Sequence, residues 1–322
     1  MKKVGYILLC ALFAACNATP ELDVTLRECA SIPSPRACAT AFVVNGEAYI
    51  FAGRDTLGNA RNDLWRYSPA TDSWEDLGPT PLSARVNATA CTVHDKVYIG
   101  LGFRGTYNNE KSYSRDWWQY TPATNQWTRL ADYPNSYTDK ATCFIGEGEL
   151  YVGYGFCWNY RRDMFRYDIA TNTWDSIDVR VGKHDYPDRS FGGTGCTCQH
   201  RHFMGSGYYG NSLDWWAELV DGTHWEKRTP IPGKTRTLAA SAATKKYVYV
   251  TGGLHYGGVN TTGDVLQDIR RYDPSRDSWT FVAVLPEGIY NHCCFSIGNQ
   301  VFIGLGEGLD ETITDKLYRL EE

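Results

Sequence analysis

Apolar residues alternate with polar or small ones in six short segments of the chain, and each segment ends in glycine. This period of two is typical of β-strands, and the terminal glycine permits the backbone turn that opens a loop. Only the fifth segment ends in two consecutive glycines, Gly252 and Gly253. The recurrence predicts an all-β chain built from six similar units, with these strands at 48–53, 97–102, 150–155, 202–207, 248–253 and 301–306.

Each Gly-ended strand is flanked by segments of characteristic composition. Before it comes a strand rich in small residues, as in ACATAF (37–42), which suits strands that crowd around an axis. After a loop of variable length comes an aromatic strand and, in most units, a Trp, as in NDLWRYSPATDSW (62–74). LDWWAELVDGTHW (213–225) is a weaker copy. A period of about 45–55 residues indicates four-stranded blades repeated around a centre.

The two ends of the chain complement each other. The last unit stops after its third strand, DKLYRL (315–320). The segment VTLRECASIP (24–33) ends in a Pro just before the first strand of unit one, as the fourth strands of other units do. We therefore expect the N-terminal strand to complete the last blade and to remove an open sheet edge. The sequence predicts a six-bladed β-propeller over residues 23–322.

The Gly-ended second strand, the aromatic third strand and the P-A-T-x-x-W turn together resemble the kelch-repeat family. The resemblance covers roughly residues 24–320 and extends to the propeller of galactose oxidase. It implies a kelch-type fold, and a fold alone does not give a chemistry. The copper centre of galactose oxidase needs a Cys–Tyr crosslink that these residues do not identify. We predict no cofactor and no metal.

The N-terminal residues MKKVGYILLCALFAAC resemble a bacterial lipoprotein signal peptide with a lipobox at its end. The resemblance implies a signal peptide over residues 1–16, lipidation of Cys16 and a tether over residues 17–22. An ordinary signal peptide, cut near Ala15 or Ala18, is the alternative. We expect a protein of the bacterial cell envelope, held to either leaflet of the outer membrane by its lipid alone.

Charge and cysteine content narrow the choice of partner and compartment. The net charge of −5 argues against a nucleic-acid partner, because binders of nucleic acid are basic. Of the 11 cysteines, nine remain once Cys10 leaves with the signal and Cys16 is lipidated, so at least one is unpaired within a monomer. Export would place the chain where disulfides persist.

A cationic residue recurs shortly before the small-residue strands. Such residues would begin the innermost strands at one mouth of the channel, where guanidinium groups attract carboxylate or sulfate. The alternative is that each Arg bonds loop carbonyls within its own turn. The candidate anion-binding residues are Arg36, Arg85, Arg189 and Arg236, with Lys140 and His292 near the equivalent places in units three and six.

The loops between second and third strands should share one face, and they are rich in Tyr, Trp, Asn and Arg. Aromatic rings stack on the C–H faces of sugars, while amides and guanidinium groups bond hydroxyls. We predict that Trp158, Tyr160, Tyr209 and Tyr256 contact a ligand. Packing of the blade tops against each other is the competing interpretation.

A distant similarity to bacterial N-acetylneuraminate mutarotase, another secreted six-bladed kelch propeller, suggests an enzymatic alternative. Mutarotation needs an acid–base pair and a cation that holds the sugar carboxylate. In that family an acid and an Arg share one loop between second and third strands. Here Asp55 and Arg61 share such a loop, although Asp replaces the Glu of the family. A solvated loop is the competing interpretation.

Two cysteine clusters are interpreted as packing. CTCQHRH (196–202) holds both kinds of zinc ligand, but a strand turn near Gln199 breaks the alternation that would bring them together. Cys293 and Cys294 suit buried positions for small side chains better than a vicinal disulfide.

These observations favour non-covalent recognition of a glycan or an envelope protein through the loop face, without catalysis. A mutarotase or epimerase that acts on an acidic sugar is the enzymatic alternative. A purely structural scaffold is the third interpretation.

Overall fold

The structure, a computed structural model, describes residues 24–105, 112–134, 138–157, 159–160, 163–177, 190–257 and 263–321. Six four-stranded antiparallel sheets form the blades of a propeller, which confirms the predicted fold. The first strand of every blade contacts the first strand of the next, and that of blade 6 contacts that of blade 1. The innermost strands therefore close a circle. Within the described segments, no helix has the length and apolarity needed to cross a bilayer.

The strands are numbered from the axis outwards within each blade. In blade 1 they are Thr40–Val44, Glu47–Phe51, Asp63–Ser68 and Ser73–Pro79. In blade 2 they are Thr89–Val93, Lys96–Gly100, Trp117–Thr121 and Gln126–Arg129. In blade 3 they are Thr142–Ile145, Glu149–Gly153, Met164–Asp168 and Thr173–Ile177. In blade 4 they are Thr194–Cys198, Arg201–Gly205, Trp216–Val220 and His224–Lys227. In blade 5 they are Ala240–Ala243, Val248–Thr251, Asp268–Asp273 and Ser278–Val284. In blade 6 they are Cys293–Ile297, Gln300–Gly304, Leu317–Glu321 and Thr25–Glu28.

The smaller elements lie in the connections. A short 3-10 helix, Pro122–Thr124, precedes the fourth strand of blade 2. In blades 3 to 5 the loops between second and third strands contain two-stranded ladders, which pair Phe156–Cys157 with Asn159–Tyr160, Tyr208–Tyr209 with Asn211–Ser212, and Leu254–His255 with Asp264–Val265.

Strand direction defines two faces. First strands begin and second strands end at one face, called the loop face here, so the loops between second and third strands open there. The hairpin turns between first and second strands, and between third and fourth strands, lie on the opposite turn face.

The N-terminal strand completes blade 6, as predicted from the two chain ends. Thr25–Glu28 pairs antiparallel with Leu317–Glu321, with Thr25 opposite Glu321 and Glu28 opposite Tyr318. The pairing covers the outer edge of the third strand, whose backbone groups would otherwise be open to another chain.

Side-chain size alternates between neighbouring first strands. Phe42 and Ala90 of the next blade belong to one hydrophobic cluster, as do Phe295 and Ala41. A Cβ added at Gly195 would lie 3.1 Å from Phe144 Cε1. The small residues of these strands therefore make room for a large residue on the preceding blade, consistent with close packing of protein interiors.

A disulfide occupies the same kind of position between blades 2 and 3. Cys91 and Cys143 form this bond, with Cα atoms 6.2 Å apart. The equivalent pair between blades 4 and 5 is Cys196 and Ser241, which also interact. Cys293, which the sequence predicts to serve packing, donates a hydrogen bond from its thiol to the Ala39 carbonyl oxygen at 3.7 Å.

A recurring set of hydrogen bonds, called the interblade latch here, fastens the outer strands. In blade 5 the Tyr272 hydroxyl donates to Asp277 Oδ1 at 2.6 Å, and the Thr229 N–H of blade 4 donates to the same oxygen at 2.9 Å. Trp279 Nε1 donates to the Thr229 carbonyl at 2.9 Å. Blades 1 and 3 have the same latch. In blade 1, Tyr67, Asp72 and Trp74 form it with Ala30. In blade 3, Tyr167, Asn172 and Trp174 form it with Ala131.

Candidate functional site at the channel mouth

One residue from each blade surrounds the channel on the loop face. These six residues lie two positions before the first strands, have φ between 50° and 63°, and are called the mouth ring: Cys38, Asn87, Lys140, Gly192, Leu238 and Asn291. The backbone N–H groups of five ring members donate to the carbonyl of the preceding member, for example Asn87 to Cys38 at 2.8 Å and Cys38 to Asn291 at 2.9 Å. The ring and the residue after each member line a cavity of about 150 Å³.

The wall outside the mouth ring is polar at blades 1 and 6. In each blade, the residue after the Gly of the second strand pairs with the residue before the ring member. Blades 1 and 6 place Arg54 and Glu307 there, and these two side chains form an ion pair. Glu307 is 1% exposed and accepts a hydrogen bond of 2.9 Å from Asn291 Nδ2. The carboxylate is therefore held in place before any ligand arrives.

A second buried carboxyl group lies at blade 3. Asp139 is 1% exposed, and its Oδ2 accepts a hydrogen bond from Asn87 Nδ2 at 3.1 Å. Oδ1 has no hydrogen-bond partner among the described residues. Burial raises the pKa of Asp139 to about 6, and the charge of Lys140 opposes that rise. This carboxyl group therefore changes charge just below neutral pH.

The same wall is apolar at blades 2 to 5. The positions equivalent to Arg54 and Glu307 hold Phe103, Phe156, Tyr208 and Leu254. Phe156 packs edge-on against Phe191, with ring centroids 5.2 Å apart. Lys140 Nζ lies 4.4 Å from the centroid of Phe191 and 3.5 Å from Asn291 Oδ1, so it links the apolar and polar parts of the wall.

Apolar side chains are also exposed on the loop face. Among the described residues the exposed large apolar side chains are Leu57, Tyr209, Val284 and Leu309. Leu57, Tyr209 and Leu309 lie in loops between second and third strands, and Val284 ends a fourth strand. Strand direction places all of them on the loop face. They come from four blades: 1, 4, 5 and 6.

Comparison with known proteins agrees with this architecture. Residues 19–207, more than half of the chain, match the family described as KLHDC2/KLHL20/DRC7 Kelch-repeats domain, and residues 235–283 match the Kelch motif. The chain belongs to the kelch-repeat family. The resemblance seen in the sequence is thereby confirmed.

Kelch relatives differ in how much of their length this chain covers. Kelch-like protein 23 of Pongo abelii is 26% identical over 74% of this chain, and the chain spans 40% of that protein. Kelch domain-containing protein 10 of Xenopus tropicalis is 26% identical over 91% of this chain and 76% of its own length. The solved structure titled "Structure of YjhT" has a TM-score of 0.74 at 17% identity, covering 91% of this chain and 99% of that one, and shows the same fold.

The predicted arginine ring is the clearest correction from the structure. Arg36, Arg85 and Arg236 have side chains that are 1%, 1% and 0% exposed. Each forms an ion pair with the Asp that precedes or begins the third strand of its kelch blade: Asp63, Asp116 and Asp268. Each also donates to a backbone carbonyl at the end of the second strand.

These arginines are therefore engaged within their own blades and offer almost no surface to an anion, as the alternative interpretation expected. The equivalent positions in blades 3, 4 and 6 are held by Thr138, Ser190 and Ile289. Lys140 is a member of the mouth ring and His292 follows one, so neither is equivalent to the arginines. Arg189 lies outside the described residues.

His292 occupies a site that is Ala or Gly in the other blades. It is buried, and its Nε2 lies 2.8 Å from Thr251 Oγ1, while Nδ1 has no hydrogen-bond partner among the described residues. Burial lowers its pKa to about 3. A Cβ added at Gly252 would lie 2.9 Å from His292 Cε1, which explains why this kelch blade alone keeps two consecutive glycines.

The predicted loop aromatics fall into two groups. Tyr209 is 56% exposed on the loop face. Tyr256 is half-buried, packs edge-on against Tyr208 at 5.8 Å, and its N–H donates to Ser212 Oγ at 2.8 Å. Tyr256 therefore joins the loops of blades 4 and 5, in line with the packing interpretation. Trp158 and the side chain of Tyr160 lie outside the described residues.

Asp55 and Arg61 are close together, but their contacts are those of a structured loop. Asp55 Oδ1 accepts hydrogen bonds from the N–H groups of Leu57 and Asn59 at 3.0 and 2.9 Å. Arg61 Nη1 lies 3.7 Å from Asp55 Oδ2, and its side chain is 47% exposed. Asp55 thus shapes the turn at the tip of the loop.

Sequence reasoning missed the central polar residues Arg54, Asp139 and Glu307. A signal for two of them was present, because Arg54 and Glu307 directly follow glycines that end second strands. At the same position the other blades have Phe, Tyr or Leu. Comparing that one position across the six units would have revealed the division of the wall into a charged part and an apolar part.

Proposed function

We propose that this kelch propeller is a recognition module that binds a partner protein of the cell envelope through its loop face, without catalysis. Kelch propellers generally mediate protein interactions. The observation that carries the proposal is the set of exposed apolar side chains, Leu57, Tyr209, Val284 and Leu309, on the face that also holds the channel mouth. Burial of apolar side chains is a main source of the free energy of protein association.

The channel mouth supplies the polar centre of the proposed interface. Its cavity of about 150 Å³ has the size of one side chain and is smaller than typical small-molecule pockets, which span about 300–1,000 Å³. The Arg54–Glu307 pair and Asn291 are already positioned by their mutual bonds. Preorganised polar groups lose little conformational entropy on binding.

The contacts of Asp55, the candidate acid–base residue, favour recognition over the mutarotase or epimerase alternative. Asp55 accepts two backbone hydrogen bonds within its own loop. Glycan recognition by Tyr209 and Tyr256 remains a competing proposal, which the experiment below separates from protein binding.

We also propose that the chain is lipidated at Cys16 and held at the outer membrane. The lipobox-like end of the N-terminal sequence supports this proposal. Residues 1–23 lie outside the described residues. Metabolic labelling with a fatty-acid analogue, compared between the native chain and Cys16→Ser, tests it, since the variant should lose the label.

Site-specific photocrosslinking in cells tests the protein partner. A photoreactive amino acid at position 57 or 309 is expected to give one defined crosslinked protein, whereas the same group at Asn45 or Asn299, which are exposed in hairpin turns of the turn face, is not. The substitutions Leu57→Asp and Leu309→Asp should each abolish the crosslink formed from the other position, while circular dichroism remains unchanged.

Other outcomes decide between the alternatives. Equal crosslinking from both faces, or none from either, would contradict the proposal. Stabilisation of the protein by N-acetylneuraminate or a neutral sugar that is lost in Tyr209→Ala and Tyr256→Ala would instead support glycan recognition at this face.

A further inference from the structure

The seam between blades 3 and 4 differs from the seams that carry the interblade latch. Leu219 stands where blades 1, 3 and 5 have the tyrosine of the latch, and a leucine cannot donate the hydrogen bond. Trp225, in the position of the latch tryptophan, is buried, and its Nε1 has no partner among the described residues. This is the unit that the sequence marks as the weaker copy.

An open groove lies along this seam on the turn face and is called the seam groove here. The seam groove is the outer cavity, of about 670 Å³; Tyr151, Asp221 and Gly222 also line an inner cavity of about 1520 Å³ that extends to the turns of blades 2 and 5. The outer cavity is bounded by the edge strand of blade 3 and by the turn between the third and fourth strands of blade 4. Its volume lies within the range of about 300–1,000 Å³ that is typical of ligand sites.

Gly222 approaches the Tyr151 ring closely at the wall of the groove. It has φ of 64°, and a Cβ added there would lie 2.7 Å from Tyr151 Oη and 3.0 Å from Cε1 and Cζ. Any larger residue would therefore press on the ring. Tyr151 is half-buried, its hydroxyl donates to Glu149, and burial raises its pKa to about 12. The ring thus presents a neutral aromatic surface at physiological pH.

The other groups of the outer cavity are suited to hydroxyls. Its walls contain the carboxylates of Asp175 and Asp221, the hydroxyls of Ser176 and Thr223, and the imidazole of His224. The charge of Arg166 is balanced, because its guanidinium lies 3.1 Å from Asp175 Oδ2 and 3.3 Å from Glu149 Oε2.

We propose that the seam groove binds a neutral, linear oligosaccharide, with Tyr151 stacking on one sugar ring and Asp175 accepting hydrogen bonds from its hydroxyls. An extended peptide fits this cavity less well, because Ile177 is the only aliphatic side chain in its described wall. A peptide side chain would gain little apolar contact there. This site is separate from the loop face and does not depend on the function proposed for that face.

Isothermal titration of the full-length protein with maltohexaose, cellohexaose, xylohexaose and chitohexaose tests the proposal. At least one of these sugars is expected to bind. Both Tyr151→Ala and Asp175→Ala should weaken that binding about tenfold or more, which corresponds to about 1.4 kcal/mol. Asp175 is 62% exposed, so its replacement tests the site without disturbing the core. Tyr209→Ala, on the opposite face, is the matched control and should bind as the native chain does.

The results that would overturn the proposal are distinct from those that bear on the loop face. It fails if none of the four sugars binds, or if the two groove variants bind as tightly as Tyr209→Ala. Binding that is lost in Tyr209→Ala alone would assign the sugar to the loop face. Crosslinking of a peptide at Asp175, in place of sugar binding, would assign the groove to a protein ligand.

Discussion

Arg85 and Asp116 are joined by two parallel hydrogen bonds, from Nη1 to Oδ1 at 2.7 Å and from Nη2 to Oδ2 at 2.8 Å. The pair connects the segment before the first strand of blade 2 with the start of its third strand. Burial disfavours the Asp116 carboxylate, but the hydrogen bonds and charge of Arg85 prevail and lower its pKa. The pair therefore holds together two strands that are not neighbours in the sheet.

Asp116→Ala should destabilise the protein by roughly 3–5 kcal/mol, because it leaves the buried Arg85 guanidinium without its counter-charge. Chemical denaturation of the native and variant proteins measures this difference. Lys234→Ala is the matched control, since Lys234 and Asp264 form an exposed ion pair at 2.7 Å that is worth at most about 1 kcal/mol. Equal losses in the two variants would show that the buried pair has no special structural role.

Asp139 should make stability fall as the pH rises through the mildly acidic range. Its pKa of about 6 in the folded protein lies above its ordinary value of 3.8, so the folded state holds this proton more tightly than the unfolded chain. The contribution is fully present below about pH 4 and is lost by about pH 6–7, and it amounts to about 2–3 kcal/mol.

Asp139→Asn removes this titration and isolates it from other carboxyl groups. The unfolding free energy of the variant minus that of the native protein should rise by about 2–3 kcal/mol between pH 4 and pH 7. Urea denaturation at each pH provides the measurement. A difference that stays constant over this range would show that Asp139 ionises in the folded protein as it does in the unfolded chain.

Ser241→Cys should form a second disulfide between first strands, with Cys196. These positions correspond to Cys91 and Cys143 of blades 2 and 3, and the two side chains already interact. Intact-mass spectrometry under non-reducing conditions should show the loss of two further hydrogens. The new crosslink is expected to stabilise the protein by about 2–4 kcal/mol. Ser241→Ala is the control, and a free thiol in Ser241→Cys would contradict the equivalence of the two pairs.

Tyr272→Phe should cost about 1 kcal/mol, because it removes the hydroxyl of the interblade latch and leaves the ring in place. Thermal unfolding measures the loss. Tyr247→Phe is a suitable control, since the ring contacts of Tyr247 with Lys246 and Arg271 are kept. If both variants lose the same stability, the latch hydroxyl contributes nothing specific to blade packing.

The sequence predicted the fold well because its signals are local and repeated six times. Strand alternation, terminal glycines and the composition of 24–33 and 315–320 were sufficient to place the blades and their closure. The interblade latch was partly visible too, since its Tyr and Trp are part of the quoted repeats. The repeats could not show which Asp or Asn side chain of the latch accepts hydrogen bonds from two blades.

The candidate site was predicted less well, because it depends on residues that are far apart in sequence. Arg54 and Glu307 are separated by 253 positions and meet only when the ring closes. The buried arginines were mistaken for ligand-binding residues because their partners, such as Asp63, begin a different strand of the same blade. Burial, which decides between these roles, is a property of the assembled propeller.

Pairing of the two chain ends also dictates an order of events during synthesis. Thr25–Glu28 leaves the ribosome first, yet its partner Leu317–Glu321 is among the last residues to be made. The earliest strand must therefore wait unpaired until translation ends, and closing a pair of such large sequence separation is slow. In an exported chain, blade 6 would be completed only after both ends have crossed the membrane.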